Sequence, residues 1–150
     1  QSVERAKAAG CDAVLVFDAA TLAAQVHDLT QGHKVDVVYD SIGRVSFDAS
    51  LDSLRPRGTL VSFGATSGAP SAVEIGTLNS KGSLFLTRPS LAAHTASAEE
   101  YQQRAQDVLD ALAAGIIRAQ VWRCYPLADV AQAHDDIEQG RSQGAVVLIP

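Results

Sequence analysis

The sequence predicts an α/β fold built on a parallel sheet, and three observations carry that expectation. Short runs rich in β-branched and apolar residues recur along the chain. Segments with apolar residues at helical spacing lie between them. Parallel neighbours cannot be joined by a tight hairpin, so strand–helix–strand connections of this length imply right-handed crossovers.

The elements follow in order. Residues 2–9 are alanine-rich and stop at Gly10, which reads as the end of a helix. Val14-Leu15-Val16-Phe17 is a short apolar run expected to be a buried strand, and Leu22, Val26 and Leu29 mark a helix ending near Gly32. The run 35–40, VDVVYD, is the clearest strand in the chain. Phe47, Leu51 and Leu54 then predict a short helix stopped by Pro56 and Gly58. Residues 59–64 and 83–88 repeat the strand pattern. Ser97 with Glu100 forms a capping box for a helix striped by Tyr101, Ala105, Val108, Leu109 and Leu112 and ended by Gly115. A strand at 121–127, a helix at 128–139 and a terminal apolar run at 146–149 read as a separate small cluster.

Composition narrows the function classes. With 150 residues and 47% hydrophobic content, the chain can bury one substantial core. A net charge of −5 with no long run of either sign argues against a nucleic-acid or anionic-membrane surface. Cys11 and Cys124 belong to no Cys/His cluster, so neither a disulfide framework nor a metal site has support, and a reducing, cytoplasmic setting is expected. His27, His33, His94 and His134 lack ligand spacing and read as surface histidines. The adjacent pairs Glu99-Glu100 and Asp135-Asp136 read as solvated helix faces.

Ligands of open parallel sheets bind outside the carboxyl ends of the strands. Two loops occupy such positions: Asp40-Ser41-Ile42-Gly43 and Phe63-Gly64-Ala65-Thr66-Ser67-Gly68. Either is a ligand loop whose glycines admit close backbone approach, or an ordinary strand-exit turn. Neither GxGxxG nor GxxxxGK[ST] occurs in the chain, and no catalytic acid or base can be named.

Four strings in order, VDVVYDSIG, SLDSLRPRGTLVSFGATSGAP, LNSKGSLFLTRPSL and YPLADVAQAHDDIEQGRSQGAVVLIP, closely resemble the quinone oxidoreductase (zeta-crystallin-like) branch of the medium-chain dehydrogenase/reductase superfamily, C-terminal portion. The likeness covers essentially the whole chain. It implies part of a Rossmann sheet, strands 3 to 6 of the doubly wound order, over residues 1–120, and a segment returning to a GroES-like catalytic domain over 121–150. It implies an upstream stretch holding the glycine-rich fingerprint, zinc-independent chemistry, and hydride transfer from NADPH to a small-molecule quinone. By position, the resemblance carries cofactor contacts onto Phe17, Ser41, Phe63, Gly64, Ser67, Arg88, Pro89 and Ser90, and a 2′-phosphate contact onto Arg141. Phe17 falls where close relatives tend to have Tyr, which leaves the NADPH preference resting on Arg141. The edge strand 83–88 is expected to pair with its twofold mate in a homodimer. Alternatives are an enoyl or crotonyl reductase of the same superfamily, or an inactive binding or oligomerisation module.

Overall fold

The computed structural model describes residues 2–150. They form two compact units, one running to His94 and the other from Thr95 to Pro150.

The first unit contains α1 (Ser2–Ala8), α2 (Leu22–Leu29), β1 (Val35–Asp40), α3 (Phe47–Asp52), β2 (Leu54–Ser62), α4 (Ile75–Ser80), β3 (Phe85–Thr87) and α5 (Leu91–His94). Its sheet is parallel throughout, in the order β1-β2-β3. The register pairs Asp40 with Ser62 and Val61 with Thr87, so the three strands finish at one edge. Side-chain alternation from Val37 onward turns Val38 of β1 to the face covered by α3, and the register irregularity between Val35 and Val37 lets Val35 pack against the same core. There Phe47, Leu51, Leu54, Leu60 and Leu84 form the buried core, with Val73 and Leu78 packed against it. Val37 and Tyr39 alternate to the opposite face and are exposed.

Two expectations change. The run 14–17 forms no strand: β1 is the terminal strand of its sheet, and among the described residues no strand lies beyond it for that run to pair with. Extended backbone without a ladder satisfies none of its polar groups in a sheet, so the segment stays irregular, with Val16 and Phe17 exposed. The sheet therefore has one strand fewer than expected. The helix after Ser46 also ends earlier, at Asp52. Leu54 opens β2 instead, and Pro56 and Gly58 sit within that strand. A central strand tolerates proline only at an irregularity, and the register indeed shifts between the Val35–Leu54 and Val37–Thr59 pairs. Arg57 there has φ 62°, and a Cβ on Gly58 would lie 2.9 Å from the Arg55 carbonyl oxygen.

The second unit contains α6 (Ala98–Ala113), β4 (Val121–Pro126), a 3₁₀ turn (Leu127–Asp129), α7 (Val130–Glu138) and β5 (Ala145–Ile149). The Ser97 side chain accepts from the Glu100 amide, the forward half of the expected capping box, while the Glu100 carboxylate pairs with Arg104 one turn on. Strands β4 and β5 are parallel, joined through α7. The division at His94/Thr95 places α6 on the side of the β4–β5 pair.

Leu51 is fully buried in the first unit's core. Leu51→Ala is expected to destabilise that unit by about 3 kcal/mol, read from the denaturant midpoint, with fluorescence or circular dichroism as probe.

Candidate functional site

Adjacent parallel strands β1 and β2 release their following loops side by side. One residue sits at the root of both. Asp40, 4% exposed, turns its carboxylate into the first loop. It accepts from the Ile42 amide at 2.8 Å and the Gly43 amide at 3.0 Å, and from the hydroxyls of Ser46 at 2.7 Å and Ser50 at 2.9 Å. The Asp40 carbonyl oxygen meanwhile accepts from the second loop, from the Phe63 amide at 2.9 Å and the Gly64 amide at 3.3 Å.

The loops also bind each other. The Ser67 amide and hydroxyl both donate to the Ile42 carbonyl, and the Ser67 oxygen accepts from the Val45 amide. The Arg44 amide donates to the Gly68 carbonyl, and its guanidinium reaches Ala69. From the end of β3, Arg88 donates to the carbonyls of Ser62 and Gly64, each at 3.0 Å. Glycine is required where the loops touch. A Cβ on Gly64 would lie 2.5 Å from the Ser41 carbonyl oxygen, and one on Gly43 would lie 2.5 Å from the Gly68 oxygen, at a φ of 91°. The close approach these glycines permit is thus of one loop to the other.

The Phe63 ring projects at the rim, 53% exposed, and meets Tyr39 edge-on at 6.4 Å between centroids. Beside the loops, a hollow of about 310 Å³ is lined by Phe47, Ser62, Ala65, Ala69, Pro70, Val73, Leu86 and Arg88.

Ser41, Phe63, Gly64, Ser67 and Arg88 are therefore brought together. Pro89 and Ser90 follow directly, and the Ser90 carbonyl accepts from Ala93 and His94 to start α5. Phe17 lies in the unpaired stretch before α2. Arg141 belongs to the second unit, where its guanidinium is engaged by two carboxylates: Nε donates to Asp136 at 2.6 Å and Nη2 to Asp135.

The Asp135-Asp136 pair is not a uniformly solvated face. Consecutive helical side chains diverge by about 100°, so only Asp136 turns inward. It is buried and also accepts from the Tyr125 hydroxyl, from Gln132, and from Arg123, whose guanidinium stacks over Trp122 at 4.6 Å. The Tyr125 hydroxyl and then Arg141 hold the Asp136 carboxyl below its usual range, and Asp136 and Asp135 raise Arg141 above its own. Burial and the Asp136 hydrogen bond push the Tyr125 phenol up.

The sequence reading placed Asp40 in a candidate loop and Asp136 on a solvated face but missed their organising role, and it missed Ser46 and Ser50 altogether. A signal was present: Ser46 and Ser50 are four apart, one helical turn, on a helix that begins just after a strand-terminal aspartate.

Burial pushes the Asp40 carboxyl up, but the donors from Gly43, Ser46, Ser50 and Ile42 outweigh it and leave it below its ordinary value. A lowered folded-state pKa stabilises the fold above the unfolded value of about 3.9 and loses that contribution as pH falls through the folded value. Asp40→Asn is expected to cost about 1–3 kcal/mol at pH 7. In denaturant titrations at a series of pH values, the gap to wild type should stay constant down to about pH 5 and shrink below about pH 4.

A parallel sheet with clasped loops at its carboxyl edge defines the chain as an α/β protein with an open parallel sheet, the class in which ligands generally bind outside the strand ends. The chain belongs to the zinc-binding dehydrogenase family, whose model matches residues 9–148. It is similar to Quinone oxidoreductase 1 of Escherichia coli, at 40% identity over 100% of this chain and 46% of that protein. It is also similar to the 2-haloacrylate reductase of a Burkholderia species, at 34% identity over 100% of this chain and 45% of that protein. Among solved structures, a mycobacterial protein complexed with NADPH superposes with a TM-score of 0.90 at 46% identity, over 98% of this chain and 46% of that one. Escherichia coli quinone oxidoreductase complexed with NADPH superposes with a TM-score of 0.88 at 40% identity, over 99% and 46%. The resemblance to the C-terminal portion of the medium-chain quinone oxidoreductases thus holds along the whole chain, which spans about half the length of the relatives it matches. Among the described residues, no group of three or more His, Cys, Asp and Glu could hold a metal ion, and no helix is long and apolar enough to cross a membrane.

Proposed function

We propose that the full-length protein is a cytoplasmic oxidoreductase that reduces quinones with NADPH. The observation that carries this reading is the pair of clasped loops at the carboxyl ends of adjacent parallel strands, in a chain similar along its whole length to quinone oxidoreductases. The residues suit a dinucleotide. Ser41 offers a hydroxyl at the end of β1, and the exposed Phe63 ring offers a flat apolar face beside an apolar hollow. Gly64 and Ser67 shape the rim between them, with Arg88, Pro89 and Ser90 closing it from the β3 side and Phe17 contributing from the segment before α2. When bound, NADPH supplies the hydride that the acceptor receives.

Arg141 is the residue proposed for the 2′-phosphate. Asp136 orients its guanidinium, and Asp135, more than half exposed, is the partner a phosphate would replace. In the full-length protein, Arg141→Gln is expected to weaken NADPH about tenfold while leaving NADH nearly unchanged, measured by nicotinamide fluorescence titration. Equal losses for both cofactors would count against this role.

Residues 1–120 are assigned to the cofactor domain and 121–150 to the catalytic domain of the same protein. The open edge strand is the proposed homodimer surface, since Phe85 and Leu86 are exposed there. Phe85→Lys should shift the full-length protein from dimer to monomer on gel filtration.

The similarity to 2-haloacrylate reductase favours a second reading, reduction of an alkene conjugated to a carboxylate. Rates of NADPH oxidation by the full-length protein with quinones, enoyl thioesters and 2-haloacrylates decide between them. Highest kcat/KM with quinones is the expected result, and none of these acceptors consuming NADPH would remove the reading.

A further inference from the structure

We infer that Asp40 is the positioning residue of the cofactor loops, setting the placement of both from one point at the end of β1. The inference rests on the functional reading above and deepens it by naming what holds the site in shape. Asp40 anchors the first loop through its side chain and the second through its main chain. The carboxylate takes the amides of Ile42 and Gly43, and the carbonyl takes those of Phe63 and Gly64. The same carboxylate docks the start of α3 through Ser46 and Ser50, so the first loop is held at both its ends.

From there the placement passes onward. Ile42 receives Ser67, Gly68 receives Arg44, and the rim residues Ser41 and Phe63 leave directly from this lattice. Burying a charge opposes folding, and an apolar residue would suit the core beneath β1 at least as well. What a carboxylate adds is several convergent acceptor positions, filled here by donors from a loop and from a helix. Such over-determination fixes loop geometry to the tolerance that ligand placement demands. Asp40 is itself buried, so its effect on a cofactor runs through the loops and not through contact.

The test uses the full-length protein carrying Asp40→Asn, which retains size and one acceptor oxygen but loses the charge. NADPH dissociation constant and KM are expected to rise about tenfold, with the quinone KM unchanged. Amide hydrogen exchange at Ile42, Gly43, Phe63 and Gly64 should accelerate without ligand. A purely structural role would instead lower the folded fraction, cutting kcat with both KM values unchanged, and that result overturns the inference. So does NADPH binding equal to wild type. If Asp40→Asn does not fold, Ser50→Ala removes a single donor to the same carboxylate and should move NADPH affinity in the same direction by a smaller factor, with no change overturning the inference. A wild-type protein that binds no NADPH overturns the functional reading, which separates that failure from a failure at Asp40.

Discussion

A carboxylate taken out of water must be met by donors, and the demand of Asp40 organises the first unit. Its position is dictated by the sheet: β1 alternates its side chains, and the inward set of Val38 and Asp40 ends in a charge where the strand leaves the core. Its donors there are neutral. They are two backbone amides and two hydroxyls, and all four belong to residues 42–50. The turn after β1 and the first turns of α3 therefore have to fold around one point, and α3 is delivered to the sheet with Phe47 and Leu51 facing the core. Apolar burial supplies the driving force, and the carboxylate selects which geometry that burial adopts.

The second unit repeats the device with different partners. Asp136 gathers a tyrosine hydroxyl, a glutamine amide and two guanidinium groups from β4, α7 and the turn before β5. The cluster ties these elements together through one carboxylate, and it fixes the direction in which Arg141 points. In both units a buried aspartate joins a strand to the helix that follows it.

Most of the regular structure was legible because it depends on local patterns. The capped α6, the β-branched β1 and the terminal β5 are stated by propensity, spacing and stop residues within a few positions of themselves. Val14-Leu15-Val16-Phe17 misled for the complementary reason. Its composition is that of a strand, yet a strand exists only where a neighbour offers hydrogen bonds, and neighbours are not written in a tetrapeptide. Pro56 misled similarly: it breaks a helix or marks a strand irregularity, and only the pairing of Leu54 with Val35 decides which.

The candidate site divides along the same line. The order of residues by itself determined that Asp40 to Gly43 and Phe63 to Gly68 follow strands, and hence that both lie at the ligand-binding edge of a parallel sheet. It also determined the family, through four strings spread along the chain. Only the tertiary structure decided that the glycines of these loops make room for each other, that Ser67 fastens one loop to the next, and that Asp40 and Asp136 are buried hubs and not solvated charges. The loop-to-loop contacts join residues about 20 or more positions apart, the burial of Asp136 is a choice between two faces of one helix, and that of Asp40 depends on a turn and helix folding back onto the strand end. Physical chemistry settles these only when the elements are packed and each buried polar group must find its partner.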